Sequence, residues 1–144
     1  MIEQDTIRLL RECDAGIKMG ISSIDEVLDN ADSGKLKNKL NEFRDEHLGL
    51  QQEVTQLLDK YHDDGKEPAA MARGMSWFKT NMKLMADNSD QTIADLMTDG
   101  CNMGVKSLHK YLNQYRAADQ ISKDITGRLI DLEQRMTTEM EHYL

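Results

Sequence analysis

Two polar residues in the first half of the chain stand on apolar helical stripes, and both are of types that bind metal ions. Asp14 interrupts a stripe whose members recur every three or four residues, namely Ile7, Leu10, Ile17, Ile21, Ile24 and Leu28. His47 stands on a second stripe, between Phe43 and Leu50. Such spacing indicates the buried face of a helix. If a turn near Asp32 joins two antiparallel helices, Asp14 and His47 differ by about 4.5 Å along the axis and face each other.

Two interpretations of this pair are open. In the first, a buried Asp14–His47 hydrogen bond fixes the register of the two helices. In the second, the pair is the remnant of a di-metal carboxylate site for iron or manganese. Such sites take a Glu from each of two helices and an E-x-x-H motif from each of two others. The chain departs from that pattern, because Arg44 stands three residues before His47 and the E-x-x-H motif of the last helix, 139–142, lies at the C-terminal end.

Other candidate residues favour packing over chemistry. Cys13 and Cys101 lie near apolar stripes and are interpreted as buried, reduced thiols, with a redox role as the alternative. Trp77, beside Phe78, is expected to anchor a short helix on the rest of the protein or to fill a partner's groove. A methionine stripe at helical spacing is typical of packing, with thioether binding of Cu(I) as the alternative; it comprises Met71, Met75, Met82 and Met85.

The elements that must position these residues are helices. The pattern predicts four long helices and one shorter one, at 5–30, 35–62, 69–86, 91–115 and from 120 to near the C-terminus. All 144 residues are expected to form one domain. Its parts are a first hairpin at 5–62, a crossover at 63–90 and a second hairpin at 91–144. A crossover helix of roughly 18 residues spans about 27 Å, which suits a connection running the length of a bundle.

The two hairpins share a sequence repeat. "GIKMGISSI" at 16–24 matches "GCNMGVKSL" at 100–108, so that Gly16 and Gly20 recur as Gly100 and Gly104. Each glycine inside a helix costs about 1 kcal/mol relative to alanine, so some contact must offset it. The G-x-x-x-G spacing clears one helix face, and the four glycines are expected at a close crossing of the first and third long helices. The alternative is that they make room for a ligand.

Repeat and crossover together predict an all-α, ferritin-like four-helix bundle made of two similar hairpins. The segments "GMSWFKTNMK" and "DQTIADLMTDGCNMGVKSL" and the closing helix resemble a small uncharacterised family from Firmicutes, related to ferritin-like bundles of unknown function. The resemblance covers nearly the whole chain. It implies the duplicated-hairpin fold and supplies no activity.

Composition restricts the partners. The net charge of -8 repels phosphate backbones and anionic lipid, so neither nucleic acid nor a membrane surface is expected as a partner. No apolar run reaches the roughly 20 residues of a membrane helix, and the N-terminus lacks the features of a signal peptide. The sequence therefore predicts a cytoplasmic protein.

The function predicted from these observations is non-catalytic, through protein association or as a scaffold, with no cofactor. The alternative is a metal-binding or oxidative-stress protein that uses Asp14 and His47 to hold iron or manganese. Apolar residues on more than one face of "MSWF", Trp77 among them, predict that two copies of the chain form a symmetric dimer.

Overall fold

The chain folds into α-helices, as predicted. The computed structural model describes residues 4–65, 68–84 and 90–144, and within these ranges leaves out the side chains of 68–71 and 82–84. The described ranges contain no β-strand. Their helices are α1 (Gln4–Leu28), α2 (Gly34–Lys60), α3 (Pro68–Leu84), α4 (Asp90–Gln114) and α5 (Gln120–Met140), followed by a 3-10 helix at Glu141–Tyr143.

Local chemistry sets the helix ends. The predicted bounds of α1, α2 and α4 lie within two residues of the observed ones, whereas the predicted end of the third helix, at 86, lies outside the described residues. The Ser33 hydroxyl accepts from the Leu36 amide at 3.3 Å and caps α2. The Asp119 carboxylate accepts from the Ser122 amide at 2.8 Å and caps α5. Each side chain satisfies an amide that has no partner within its own helix. At the other end of α2, His62 takes a left-handed conformation with φ of 57°, which stops the helix.

Hydrogen bonds between helix ends define the directions of the helices. The Ser33 amide, in the turn between α1 and α2, donates to the Asp90 carboxylate at the start of α4 at 3.0 Å. The Asp119 amide, in the turn between α4 and α5, donates to Thr6 near the start of α1 at 2.8 Å. It follows that α1 and α5 run in one direction and α2 and α4 in the other. The connection that contains α3 therefore passes from one end of the molecule to the other.

The apolar stripes meet in one core. Helix α1 packs against α2 and α4 against α5, while α1 and α2 also contact α5. Helix α3 lies against α1 and α4, with Phe78 only 3% exposed. The side chains with no exposure include Leu10, Ile17, Ile24, Leu36, Leu40, Val54, Ile93 and Leu129. Burial of this kind is the main stabilising term of the fold.

Exposed ion pairs follow the antiparallel register of α2 and α5. Arg128 on α5 binds Glu53 at 2.8 Å, and two helical turns further along α5 Arg135 binds Glu46 at 2.9 Å. All four side chains are between 44% and 53% exposed, so each pair contributes at most about 1 kcal/mol. These pairs therefore align the helices more than they stabilise them.

The methionine stripe of α3 is described in part. Met75 is half-buried, whereas the side chains of Met71 and Met82, and residue Met85, lie outside the described part of the chain. Among the described helices none is long and apolar enough to cross a membrane.

Candidate functional site

Asp14 is buried, as the stripe predicts, but its ionic partner lies on its own helix. Its side chain is 3% exposed, and its Oδ2 accepts a hydrogen bond from the Lys18 ammonium one turn later, at 2.8 Å. Gly65, just beyond α2, lies directly against it, since a Cβ there would come closer than 3.0 Å to the carboxylate. The ammonium compensates the buried charge of Asp14.

His47 lies elsewhere in the core. Its ring is 1% exposed, and Nδ1 lies 2.7 Å from the Phe43 carbonyl oxygen. Nε2 has no hydrogen-bond partner within the described residues. The ring faces Gly20, where a Cβ would come closer than 3.0 Å to Nε2. The predicted hydrogen bond between Asp14 and His47 is therefore wrong.

The error is one of register. The contacts of His47 with Gly20 and of Arg44 with Asp25 place the centre of the α1–α2 pairing beyond Ser33, not at Asp32. When the centre of the pairing moves by one residue along the chain, the residue of α1 that lies opposite a given residue of α2 moves by two. Asp14 is consequently six residues, or about 9 Å along α1, from the level of His47.

The described residues do not bring together the ligands that the iron or manganese alternative requires. The described residues contain no group of three or more His, Cys, Asp or Glu side chains that could hold a metal ion. Arg44, at the position where the E-x-x-H pattern needs a ligand, instead binds Asp25 at 2.6 Å. Asp14 and His47 therefore do not form a metal site together.

A cavity of about 390 Å³ lies between α1, α3 and α4, with α2 and α5 forming its floor. We call it the repeat cavity, because every identical position of the sequence repeat lines it. These positions are Gly16, Met19, Gly20 and Ser23 on α1, and Gly100, Met103, Gly104 and Ser107 on α4. Trp77 and Phe78 of α3 line a further wall. Trp77 is 36% and Met103 51% exposed, so the cavity opens to solvent on their side.

The glycines of the repeat clear space for this cavity and for its floor. A Cβ at Gly20 would meet His47 of α2, and a Cβ at Gly104 would meet Glu133 of α5, in both cases closer than 3.0 Å. A Cβ at Gly100 would meet nothing within 4 Å. A Cβ at Gly16 would contact Leu129 of α5 at an ordinary 3.6 Å.

The prediction that these glycines form a close crossing of α1 and α4 is therefore wrong. In neither helix does a glycine Cβ position face the other helix among its nearest described neighbours. The alternative interpretation, room for a ligand, matches the cavity. Trp77, predicted as an anchor, lies at the rim while its neighbour Phe78 is buried.

Glu133 is a buried group that the sequence analysis did not single out. It is 7% exposed, and its Oε2 has no hydrogen-bond partner among the residues described. It occupies the same position in the second hairpin as His47 in the first, because each stands 14 residues after its helix cap, Asp119 or Ser33. The signal was present in the stripe, where Glu133 lies four residues after Leu129.

Burial favours the neutral form of both floor residues. It raises the pKa of Glu133 to about 8, and no opposing contribution from a cation accompanies that shift. It lowers the pKa of His47, while the hydrogen bond to the Phe43 carbonyl acts in the opposite direction. The floor of the repeat cavity therefore carries two buried polar atoms without a partner among the described residues, His47 Nε2 and Glu133 Oε2.

The two cysteines are free and buried, as interpreted from the sequence. Cys101 lines the repeat cavity, and burial, followed by the charge of Glu133, raises its pKa. Burial also raises the pKa of Cys13 to about 11, although a hydrogen bond with Thr126 opposes that rise. The Thr126 hydroxyl donates to the Ser122 carbonyl, so the Cys13 thiol donates to Thr126. Both thiols are thus protonated at neutral pH and poor nucleophiles.

Comparisons with known proteins leave the chain without an assigned family. No family model matches it, and no solved structure matches it. The chain is 24% identical over 138 residues to a protein of Curvularia clavata named transcription factor kk1f. The aligned region covers 96% of this chain and 30% of that protein, so the chain spans less than a third of the length of this curated relative. Identity this low does not establish a shared family.

Proposed function

We propose that the chain is a ferritin-like helical bundle that binds a small, mainly apolar molecule in the repeat cavity and acts by binding rather than by catalysis. The observation that carries this proposal is the convergence of the sequence repeat on one cavity. All eight identical positions line it, four from α1 and four from α4. Apolar walls with a few buried polar groups are typical of small-molecule sites, and about 390 Å³ is within their usual size range.

Energetics supports the same proposal. Four helical glycines cost about 1 kcal/mol each relative to alanine, and a buried polar group without a partner costs roughly 1–3 kcal/mol. At Gly100, where a Cβ would meet nothing, alanine fits and the glycine brings the fold no benefit. The absence of a side chain there leaves this part of the cavity open to a ligand.

The ferritin-like arrangement rests on the helix directions. Helices α1 and α2 pack together, α4 and α5 pack together, and the connection between the two pairs passes from one end of the molecule to the other. Two hairpins with one long crossover have this connectivity. The likeness to the Firmicutes family adds to the proposal and remains a resemblance.

Nucleic-acid binding is not part of the proposal, despite the name of the Curvularia relative. The net charge of -8 opposes contact with phosphates. A cytoplasmic location and a homodimer remain predictions from the sequence.

The proposal is tested with 1-hexanol as a neutral probe. Calorimetric titration and the fluorescence of Trp77, the one tryptophan of the chain, are expected to report saturable binding of a single hexanol molecule. Gly100→Leu, which places a side chain in the cavity, should abolish binding. Gly127→Leu is the matched control, because Gly127 is exposed on α5 and its Cβ also meets nothing within 4 Å. Absence of saturable binding, or equal binding by both variants, would contradict the proposal.

Metal binding is a second candidate function, favoured by one observation. His47 Nε2 and Glu133 Oε2 are both without partners among the described groups, and both residues line the repeat cavity. Elemental analysis of protein purified without a histidine tag tests it, together with the melting temperature in added Fe(II) or Mn(II). Bound metal that is lost in both His47→Leu and Glu133→Gln would support this candidate, and metal-free protein with an unchanged melting temperature would exclude it.

A further inference from the structure

If the repeat cavity binds a ligand, as proposed above, the hydrogen-bonding groups of its floor restrict the chemical class of that ligand. A carbonyl oxygen can only accept, so the 2.7 Å contact between His47 Nδ1 and the Phe43 carbonyl places the proton on Nδ1. In a neutral imidazole the other nitrogen, Nε2, is then an acceptor. Nε2 belongs to a ring that is 1% exposed, and it faces the cavity side of Gly20.

Glu133 adds a second acceptor to the same floor. Its carboxyl group faces Gly104, and its Oε2 is unpaired within the described chain. None of the ion pairs formed by described residues includes Glu133. A buried carboxylate is stable when a cation is present, and an ionised carboxylate accepts without donating.

The walls above this floor are apolar and aromatic. Met97, Leu108 and Met136 line the cavity beside the glycines, and Trp77 and Phe78 bring aromatic rings from α3. Aromatic faces attract cations as well as apolar groups. The excess of acidic residues, with a net charge of -8, raises the local concentration of cations near the protein.

We propose that the repeat cavity binds a small organic amine as its ammonium cation. The ammonium N–H groups donate to His47 Nε2 and to the Glu133 carboxylate, and the alkyl or aryl body lies along the walls cleared by Gly16 and Gly100. Such a ligand supplies at once the two missing donors and the positive charge that an ionised Glu133 needs beside it. A neutral alcohol supplies one donor and no charge, and a carboxylate supplies neither a donor nor a positive charge.

Binding of an ammonium is coupled to the ionisation of Glu133. At pH 7 the free protein holds a proton on this carboxyl, whose pKa burial raises to about 8, and the bound cation favours its release. The other titratable or charged groups that line the cavity are Glu12 of α1, His47 of α2, Arg73 of α3, and Cys101 and Tyr111 of α4. Of these, Tyr111 donates a hydrogen bond to Glu12. Burial, followed by Glu12, raises the pKa of Tyr111, so its phenol stays protonated at pH 7.

The test compares hexylamine, 1-hexanol and hexanoate, which share one alkyl chain and differ in the head group. Calorimetry at pH 7 is expected to give hexylamine at least a ten-fold tighter Kd than 1-hexanol, with hexanoate the weakest of the three. In Glu133→Gln the preference for the amine should disappear while binding of 1-hexanol persists. Gly100→Leu should bind none of the probes, and Gly127→Leu should behave as the wild type.

A measurement on the wild type alone tests the proposal even if a variant fails to fold. Titration of hexylamine in two buffers of different ionisation enthalpy is expected to show release of most of one proton per molecule bound at pH 7, and 1-hexanol should release none. Equal affinities for hexylamine and 1-hexanol, or tighter binding of hexanoate, would overturn the amine assignment and leave ligand binding intact. A preference for amine that survives in Glu133→Gln would overturn the role of that carboxylate. Failure of all three probes to bind the wild type would overturn both proposals.

Discussion

At the residue scale, Glu133 and His47 show how burial affects an ionisable group that has no charged partner among the described residues. Both stand at the same position of their hairpins, and in both burial disfavours the charged form. Asp14 is as deeply buried but has Lys18 at 2.8 Å. The contrast separates a buried charge that has a cation beside it from two buried residues that each leave one polar atom unpaired within the described chain.

Glu133→Gln is predicted to remove a pH dependence of stability. The pKa of Glu133 lies at about 8 in the folded protein and near 4.5 in the unfolded chain, so the folded state holds the proton more tightly. The stabilisation that comes from this tighter proton binding is complete below pH 4.5 and is lost as the pH rises through about 8. The variant should match the wild type at pH 5 and exceed its free energy of unfolding by up to about 5 kcal/mol at pH 9.

Urea unfolding of both proteins at pH 5, 7 and 9 measures this difference, and the same substitution at the exposed Glu141 is the control. A constant difference between wild type and Glu133→Gln across that range would show that the folded protein does not hold the proton on Glu133.

Asp14→Ala and His47→Ala are predicted to destabilise independently. The two residues lie about 9 Å apart along the bundle axis, and each is bonded to a different group, Lys18 or the Phe43 carbonyl. Residues that share no partner show additive effects, usually within about 0.5 kcal/mol. A double-mutant cycle by urea unfolding that gave a coupling above about 1 kcal/mol would mean that they meet after all.

The sequence predicted the burial of Asp14 and His47 but not their partners. Burial follows from helical periodicity, which is a local property of the chain. Partnership depends on the register of α1 against α2, and that register depends on how the backbone turns between Leu28 and Gly34. Glu133 was missed because a single acidic residue on an apolar stripe is not distinctive by itself. Its equivalence to His47 becomes visible only when the sequences of the two hairpins are aligned at their helix caps.

At the element scale, the helices were predictable and the reason for their glycines was not. Apolar spacing, turn residues and caps are all local, so the ends of α1, α2 and α4 could be placed within two residues. A G-x-x-x-G pattern shows that one helix face is smooth but not what lies opposite it. On α1 and α4 the opposite partner is the repeat cavity with its floor rather than a neighbouring helix backbone.

Alanine substitutions at Gly20 and Gly100 are predicted to have opposite effects. A Cβ at Gly100 meets nothing within 4 Å, so Gly100→Ala should gain up to about 1 kcal/mol of helix propensity. A Cβ at Gly20 comes closer than 3.0 Å to the His47 ring, which its hydrogen bond to Phe43 holds in place. Gly20→Ala should therefore destabilise, by roughly 1–3 kcal/mol as is typical of overpacking. Thermal and urea unfolding check the signs, and stabilisation by both changes would remove the contact assigned to Gly20.

At the scale of the whole molecule, the repeat gives the two hairpins equivalent positions with different side chains. His47 and Glu133 are such a pair, and Gly20 and Gly104 are the positions that admit them. One cavity floor in this way receives two different polar side chains, His47 from α2 and Glu133 from α5. The directions of the helices and of the crossover follow from which helix ends meet. Ser33 bonds Asp90 at one end of the molecule, and Asp119 bonds Thr6 at the other.

The last prediction concerns association of the whole chain. Trp77 of α3 and Met103 of α4 both line the repeat cavity and are 36% and 51% exposed, so both present apolar surface to solvent at its mouth. Burying this patch against its equivalent on a second copy would form a symmetric, self-complementary interface. Light scattering at tens of micromolar (on the order of ordinary assay concentrations) should then report about twice the chain mass of 16.5 kDa.

The double variant Trp77→Ser with Met103→Ser should shift toward the monomer. The control is Ile121→Ser, at an exposed apolar residue on α5 that does not line the cavity, and it should not shift. A monomeric wild type under these conditions would exclude the dimer and leave the mouth of the cavity open to solvent.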